Sequence, residues 1–393
     1  MARSLPFDYA VRNLARRPVR TVLTAAASAL VAALLVASSA FVRGLDRTFS
    51  GAAREDVAIL LSSVAQRDVL RSTVTAGTSS LIEAAVPGIA NIGGQPAVSS
   101  EIHTGTNLRL GPQSEARAGE PTYPGFVRGV TERAFLVHDA VTIVAGRPAR
   151  SGEVLVGRLA ARQLGVPEAA LEPGRVVRFE GAEFTIAGQF AAPGTMLEAE
   201  LWAPLSELRG LTRRDDSSAV FVRMSKPGDF GDLELFALRR LDLELIVIPS
   251  SLYYRELVDY FRPIRTLAWA MAAMIAVAAV FGGSNALNSA VQDRLRELAA
   301  LRAVGYSSWA IGKSLALEAL LIAAAGGVVG LALAKFALHD SAIRIAMSAF
   351  RIDADAVSVL VGFAGVLILG LFGTAPAMVR IQRLSIASAL KEP

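Results

Sequence analysis

The chain has 393 residues, 53% of them hydrophobic and only 19% charged, with a mean hydropathy of +0.44, which excludes an ordinary water-soluble enzyme of this size. Lys and Arg outnumber Asp and Glu by 40 to 35, an excess too small for a polybasic surface, so no nucleic acid is expected as a partner. The absence of cysteine removes disulfides, thiol catalysis, iron–sulfur clusters and cysteine-based zinc sites.

Residues 1–20 carry Arg3, Arg12, Arg16, Arg17 and Arg20 against one acid, Asp8. Residues 21–42 then contain no charge, and three further apolar runs follow at 266–292, 314–338 and 356–379, of which 314–338 is interrupted by Glu318 and holds Lys335 near its end. A bilayer core needs roughly 20 apolar residues as helix, so each run is predicted to span it. The first is longer than the roughly 7–15-residue core of a cleaved secretory signal and is read as an uncleaved anchor. Four spans put both ends of the chain on one side, and the arginine-rich start predicts that side to be the cytoplasm. The expected order is a cytoplasmic segment (1–20), span 1, an extracytoplasmic domain (44–264), span 2, a cytoplasmic loop (293–313), span 3, a short outer loop (339–355), span 4 and a cytoplasmic tail (380–393). The cytoplasmic pieces, about 55 residues in all, are too small for a catalytic domain.

The outer domain reads as mixed α/β. Short β-favouring runs are predicted at 57–61, 126–130, 141–145, 153–156, 175–179, 184–190, 220–224 and 244–248, and helices at 65–85, 158–164 and 230–241. The Gly-, Pro-, Ser- and Thr-rich stretch from Pro87 to Pro124 is expected to be largely loop. His103, His138 and His339 are scattered without a second ligand at metal spacing and are expected at the surface or in loops. The pairs Glu198/Glu200 and Asp353/Asp355 are expected to be solvated. The segment from Gly305 to Ser314 resembles a phosphate-binding loop only superficially, because six residues rather than four separate its glycines and no apolar strand precedes it. No catalytic, cofactor-binding or metal-binding residues are therefore expected.

Within the spans, Ala25, Ala29, Ala33 and Ala37 recur every four residues, Gly326 and Gly330 form a GxxxG pair, and Gly362, Gly365, Gly370 and Gly373 follow in span 4. Such small residues let helix backbones approach closely in lipid, either within one bundle or across a dimer seam. Glu318, one turn into span 3, is expected to hydrogen-bond a neighbouring helix end. In the 293–313 loop, Leu295, Leu298 and Leu301 recur every three residues among Arg294, Arg296, Glu297 and Arg302. Gly305 is a natural helix stop, and Ser307 or Ser308 a cap for the next helix. This short amphipathic helix would lie on the inner leaflet among membrane lipids or dock a cytoplasmic protein, its leucines filling a groove and its arginines meeting an acidic rim.

The segment from Asp293 to Gly305, followed by Leu315–Gly330, resembles the signature of the FtsX-like permease family, which includes MacB-type and LolC/LolE-type ABC transporter subunits. Ala10–Thr21 is similar to that family's opening. Phe126–Val130, Gly152–Gly157 and Glu200–Leu205 resemble the MacB-type periplasmic core domain. The resemblance implies an inner-membrane permease that forms a homodimer or pairs with a paralogue and binds two copies of a separate ABC ATPase, so that ATP acts through the partner. It also implies that Arg294, Arg296, Glu297, Leu298, Leu301, Arg302 and Gly305 couple to that ATPase. Closure of the ATPases would move the outer domains by mechanotransmission, for export or extraction of a lipid-linked, peptide or amphipathic substrate. Efflux and lipoprotein release both belong to this class, with a membrane-fusion adaptor as a further partner. A non-transporting subunit that signals to cell-envelope enzymes is the alternative, and a sensor unrelated to ATPases a third reading.

Overall fold

The computed structural model describes residues 7–115, 119–339, 341–345 and 348–383; Arg3, used in the charge argument, lies outside them. The described residues form two compact units. One holds the chain up to Arg43, Pro263–Ser341 and the chain from Ile352 onward, and the other holds Gly44–Arg262 with Ala342–Arg351.

In the helical unit, an amphipathic amino-terminal helix, Phe7–Arg16, is followed by helices long and apolar enough to cross a bilayer: Pro18–Ser50, Arg262–Gln292, Ser308–Leu338 and Ala356–Gln382. Several overrun the apolar runs at 21–42, 266–292, 314–338 and 356–379, because backbone hydrogen bonding continues into polar flanks that lipid would not accept. The last is interrupted at Thr374, just before Pro376, which has no N–H to donate. Small residues set the packing. A Cβ on Gly326 or Gly330 would strike the carbonyl oxygen of Ala25 or Ala29, and one on Gly362 would strike Val36. Gly326 and Gly330 therefore meet the first long helix of their own chain, with Ala25 and Ala29 in the contact and Ala33 and Ala37 half-buried. Of the long helices, the second is the least covered by its neighbours, and the first and third are covered most.

The sheet domain is built on one ten-stranded sheet. Leu245–Pro249, Val57–Ser62, Ala219–Arg223 and the start of Val98–Leu110 form an antiparallel wing. Alternate residues of the wing enter two different cores: Ala58, Leu60, Val220 and Val222 pack under Ile82 and Leu233, whereas Ile59, Leu61 and Phe221 pack against Val137 and Ile248. Burial on both faces explains the unbroken apolar run Val57–Leu61. The strand Val98–Leu110 then passes onward into a closed ring with Tyr123–Val130, Leu201–Pro204, Glu153–Gly157, Ala182–Ala191 and Val176–Phe179, the last pairing back to Arg109 and Leu110. Ile102, Leu108, Val127, Val156, Val177 and Ile186 belong to the core that this closure creates. Thr142–Gly146 adds to the outside of Ala182–Ala191.

The structure corrects three expectations of local conformation. The stretch between Pro87 and Pro124 is not mainly loop but contains the 13-residue strand Val98–Leu110, the longest in the domain. Its buried positions include Ser99, Glu101 and His103, so no apolar alternation announces it. The helix expected over 65–85 is confined to Thr78–Ala85, since Gln66 and Arg67 take left-handed backbone conformations and break the run. Within 339–355, expected as a loop, a β-hairpin forms from Ala342–Ile345 and Ser348–Arg351. Ala349 enters the sheet domain's core beside Leu159 and Ala199, and Phe350 packs against Gly44.

The glycine contacts give a direct test of the helix packing. Gly330→Leu is expected to destabilise the chain by about 1–3 kcal/mol through overpacking, read as a lowered unfolding temperature in nanodiscs. Gly282→Leu, where a Cβ would meet nothing within 4 Å, should leave that temperature unchanged or slightly raised.

Candidate functional site

Two polar assemblies stand out, one in each unit. In the helical unit the second long helix ends at Gln292, and a short elbow helix, Leu295–Ala303, follows. Gly305, at φ +103°, reverses the chain, a conformation open to glycine at little cost. The Ser307 hydroxyl then accepts the Ala310 N–H at 3.2 Å and caps the third long helix.

The leucine stripe of the elbow faces inward, which corrects the expectation that it fills a partner's groove. Leu298 is 8% exposed and packs with Val291, Ile311, Ala377 and Ile381, while Leu295 and Leu301 lean on the same cluster. Facing outward are Arg296 and Glu297, then Val304 at 67% and Trp309 at 59% exposure, with the Lys313 ammonium 4.5 Å from the Trp309 ring centre. Arg302 is half-buried and Gly305 exposed.

Arg294 is turned the other way, with its Nη1 donating to Glu318 Oε2 at 3.3 Å, and Asn13 Nδ2 of the amino-terminal helix donating to Glu318 Oε1 at 2.6 Å. All three side chains are largely withdrawn from solvent. Around this point Arg17 pairs with Asp293, Arg20 donates to the Ala286 carbonyl at 3.1 Å, and Arg380 donates to Asn288 at 3.1 Å. A buried carboxylate holding two donors from distant segments fixes their relative position, because removing either partner leaves an unpaired group in an apolar setting.

The second assembly lies in the sheet domain, where the strand Val98–Leu110 leaves the wing and enters the closed ring. Glu101 still pairs with Ala219 of the wing, and Ile102 already pairs with Gly129 of the ring. Strand register then aligns His103 with Arg128, and Arg128 with Trp202. Because side chains two apart share a face, Glu101 joins His103 and Glu200 joins Trp202 around the Arg128 guanidinium. Arg128 donates through Nε and Nη2 to both oxygens of Glu200 and through Nη1 to Glu101, all at 2.7 Å. Glu101 also meets His138 Nε2 at 2.8 Å and His103 Nε2 at 3.1 Å, and the Trp202 indole donates to Glu200 at 3.0 Å. His103 and His138 are thus core residues rather than surface ones, and His339 alone of the three is exposed. Glu198 and Glu200 are likewise buried, not solvated, and burial raises the Glu198 carboxyl above its usual range. Among the described residues no group of His, Asp or Glu is arranged to hold a metal.

The electrostatics follow from burial and charge pairing. Burial works against the Arg128 charge, but Glu200 and Glu101 outweigh it and raise its pKa. Burial alone would raise Glu101, yet attraction to His138 and Arg128, with hydrogen bonds from both imidazoles, holds it well below the carboxylate range. His103 is pushed down to about 4, first by burial and then by the Arg128 charge, so it is neutral near pH 7. The alternations Glu101-x-His103 and Glu200-x-Trp202 were the available sequence signal for this cluster, since period-two spacing in a strand puts each pair on one face.

Two outcomes follow for stability, measured as urea midpoints of the nanodisc-held chain with Trp202 as reporter after Trp269→Phe and Trp309→Phe. Glu101→Ala should cost about 3–5 kcal/mol, because Arg128 loses one of two buried counter-charges. The unfolded chain takes up the His103 proton near pH 6.5 and the folded chain only near 4. Stability should therefore fall, by about 3 kcal/mol, as pH drops through that window. His103→Phe should remove that part of the slope.

With this geometry in place, comparison with known proteins assigns the chain. Residues 21–234, more than half of the chain, match the MacB-like periplasmic core domain, and residues 269–386 match the FtsX-like permease C-terminal domain. Among proteins of curated function no relative is detected. Among solved structures, the chain is similar to the periplasmic region of MacB from Actinobacillus actinomycetemcomitans, at 13% identity and a TM-score of 0.38 over 51% of this chain and 92% of that one. It is also similar to the extracellular domain of the noncanonical ABC-type transporter YknZ from Gram-positive bacteria, at 12% identity and a TM-score of 0.36 over 49% of this chain and 99% of that one. The chain belongs to the family of FtsX-like permeases with a MacB-like periplasmic core domain.

Proposed function

We propose that the protein is the permease subunit of an ABC transporter, in which two copies of a separate cytoplasmic ATPase act on a dimer of this chain or on its pairing with a paralogue. The orientation follows from the arginine-rich start: chain ends and elbow helix in the cytoplasm, sheet domain outside. The observation that carries the reading is the anchoring of the elbow. Leu298 is set in an apolar cluster with Ile311, Ala377 and Ile381, and Arg294 is tied to Glu318, which also holds Asn13. A force applied to the outward face, at Arg296, Glu297, Val304 and Trp309, cannot tilt the elbow alone and is passed to the third long helix and the amino-terminal helix.

Mechanotransmission of this kind suits spans that offer no charge-lined path. Glu318 is engaged at one end of the third long helix, and Lys335 is exposed near the other. The substrate class we assign is amphipathic, whether lipid-linked or peptide, handled at the outer face. The second long helix supplies the surface for a second permease copy or for lipid, with Met274 and Phe281 outward.

The test is purification of the tagged chain in mild detergent with identification of the co-purifying ATPase. Arg296→Glu combined with Arg302→Glu should lower ATPase recovery at least about tenfold, the equivalent of about 1.4 kcal/mol. Glu318→Gln should retain the ATPase but weaken the dependence of its hydrolysis rate on the permease. Recovery of no ATPase, or full recovery with both acidic substitutions in a folded chain, would overturn the coupling assignment.

A further inference from the structure

The second long helix stands off from the rest of the helical unit across an apolar groove of about 380 Å³. Ala278, Gly282 and Ala286 of that helix form one wall, and Leu23, Ala27 and Val31 of the first long helix form the other. The floor is closed by Ala319 and Ala323 of the third long helix and Val366 of the fourth, all buried. Leu23, Ala27 and Gly282 are exposed, so the groove opens outward between its two walls. A Cβ on Gly282 or Gly283 would meet nothing within 4 Å, whereas the larger Met274, Val277 and Phe281 of the same helix are exposed outside the groove.

Position and charge narrow the occupant. From Leu23 to Val31 the helix rises about 12 Å, beginning about 5 Å beyond Arg20, which matches the tails of one leaflet in a hydrocarbon core about 30 Å thick. An apolar groove at that depth stays dry, and leaving it empty forfeits dispersion contacts along every wall. The end of the groove toward the chain ends is basic. Arg20 Nη2 donates at 3.1 Å to the carbonyl of Ala286, a wall residue, and Arg380 Nη1 donates at 3.1 Å to Asn288 Oδ1, two residues further on. Both partners are uncharged, and among the described residues neither guanidinium forms an ion pair with a carboxylate. Arg383 is exposed at the same end of the fourth long helix. A second copy seated here in the same orientation would set its own Arg20 and Arg380 against these, like charge against like, whereas an anionic lipid brings the opposite charge.

We propose that this groove holds one acyl chain of an anionic phospholipid from the leaflet on the side of the chain ends, its head group drawn there by the charge of Arg20 and Arg380. The proposal refers only to the chain ends, so it is independent of the ATPase reading and of which side of the membrane is cytoplasmic.

The probe is a phosphatidylglycerol with a diazirine in its acyl chain, photolysed with the full-length protein in phosphatidylcholine nanodiscs, and labelled residues are located by mass spectrometry. Label at Phe336 and Phe372, which are exposed outside the groove, serves as the internal reference. The expected result is label at Ala27, Val31 and Ile322 which, relative to that reference, is about tenfold higher than from a phosphatidylcholine probe with the same chain, since each arginine near the surface is worth roughly fivefold. Gly282→Phe, which puts a ring into the open groove, should abolish the groove label and keep the reference label. Arg20→Gln combined with Arg380→Gln should bring the two probes to equal groove label. Should either variant unfold, the comparison of the two probes on the native chain makes the same decision. Groove label no higher than the reference, equal label from both probes on the native chain, label unaffected by Gly282→Phe, or a preference that survives the double substitution would each overturn the proposal. Groove label that appears only in nanodiscs holding a single copy would overturn it in favour of a second copy as the occupant.

Discussion

A guanidinium enclosed by two carboxylates sets the geometry of the sheet domain. Arg128 reaches Glu101 on one neighbouring strand and Glu200 on the other, and Glu101 in turn holds His103 and His138. Desolvating these groups is expensive, and only near-complete mutual pairing makes the arrangement tolerable. The cluster occupies the point where one long strand changes partners from an open wing to a closed ring, where the apolar alternation lapses. Hydrophobic burial alone would not specify the register there, because shifting a strand by one residue exchanges its faces. A fixed set of charge-assisted hydrogen bonds does specify it.

The helical unit uses the same device on a smaller scale. Glu318 sits among apolar neighbours and holds Asn13 and Arg294, segments separated by most of the chain. The remaining contacts of the unit are close approaches at Gly326, Gly330 and Gly362, where the absent side chain matters more than any present. Packing at small residues brings the helices together without selecting one depth of insertion, whereas a buried carboxylate with two donors does select it. The elbow helix is thereby packed and hydrogen-bonded into the bundle.

Much of this was legible in the sequence. Charge-free runs located the long helices, and Gly305 with Ser307 located the turn and the next helix start, because these signals are local. Most short strands, such as Val57–Ser62 and Glu153–Gly157, were found for the same reason. What escaped depended on partners far along the chain. The strand Val98–Leu110 is rich in Ser, Thr and Gly, and its burial of Glu101 and His103 makes sense only once Arg128 and His138 are beside them. The elbow leucines showed their spacing, but not whether they faced the bundle or a partner. That depended on Ile311, Ala377 and Ile381, which are supplied by other helices.

The hairpin Ala342–Arg351 has a bearing on biogenesis. It belongs to the sheet domain's compact unit, yet it follows the third long helix in the chain, and its Ala349 fills the core beside Leu159 and Ala199. Chains emerge from the ribosome amino terminus first. Residues 44–262 are therefore synthesised, and can collapse, well before the hairpin that completes them has been made. The nascent domain must wait with that patch of its core open until the third long helix has been delivered to the bilayer. Final closure of the sheet domain thus reports that membrane insertion has advanced past this helix, an order of events written into the chain connectivity.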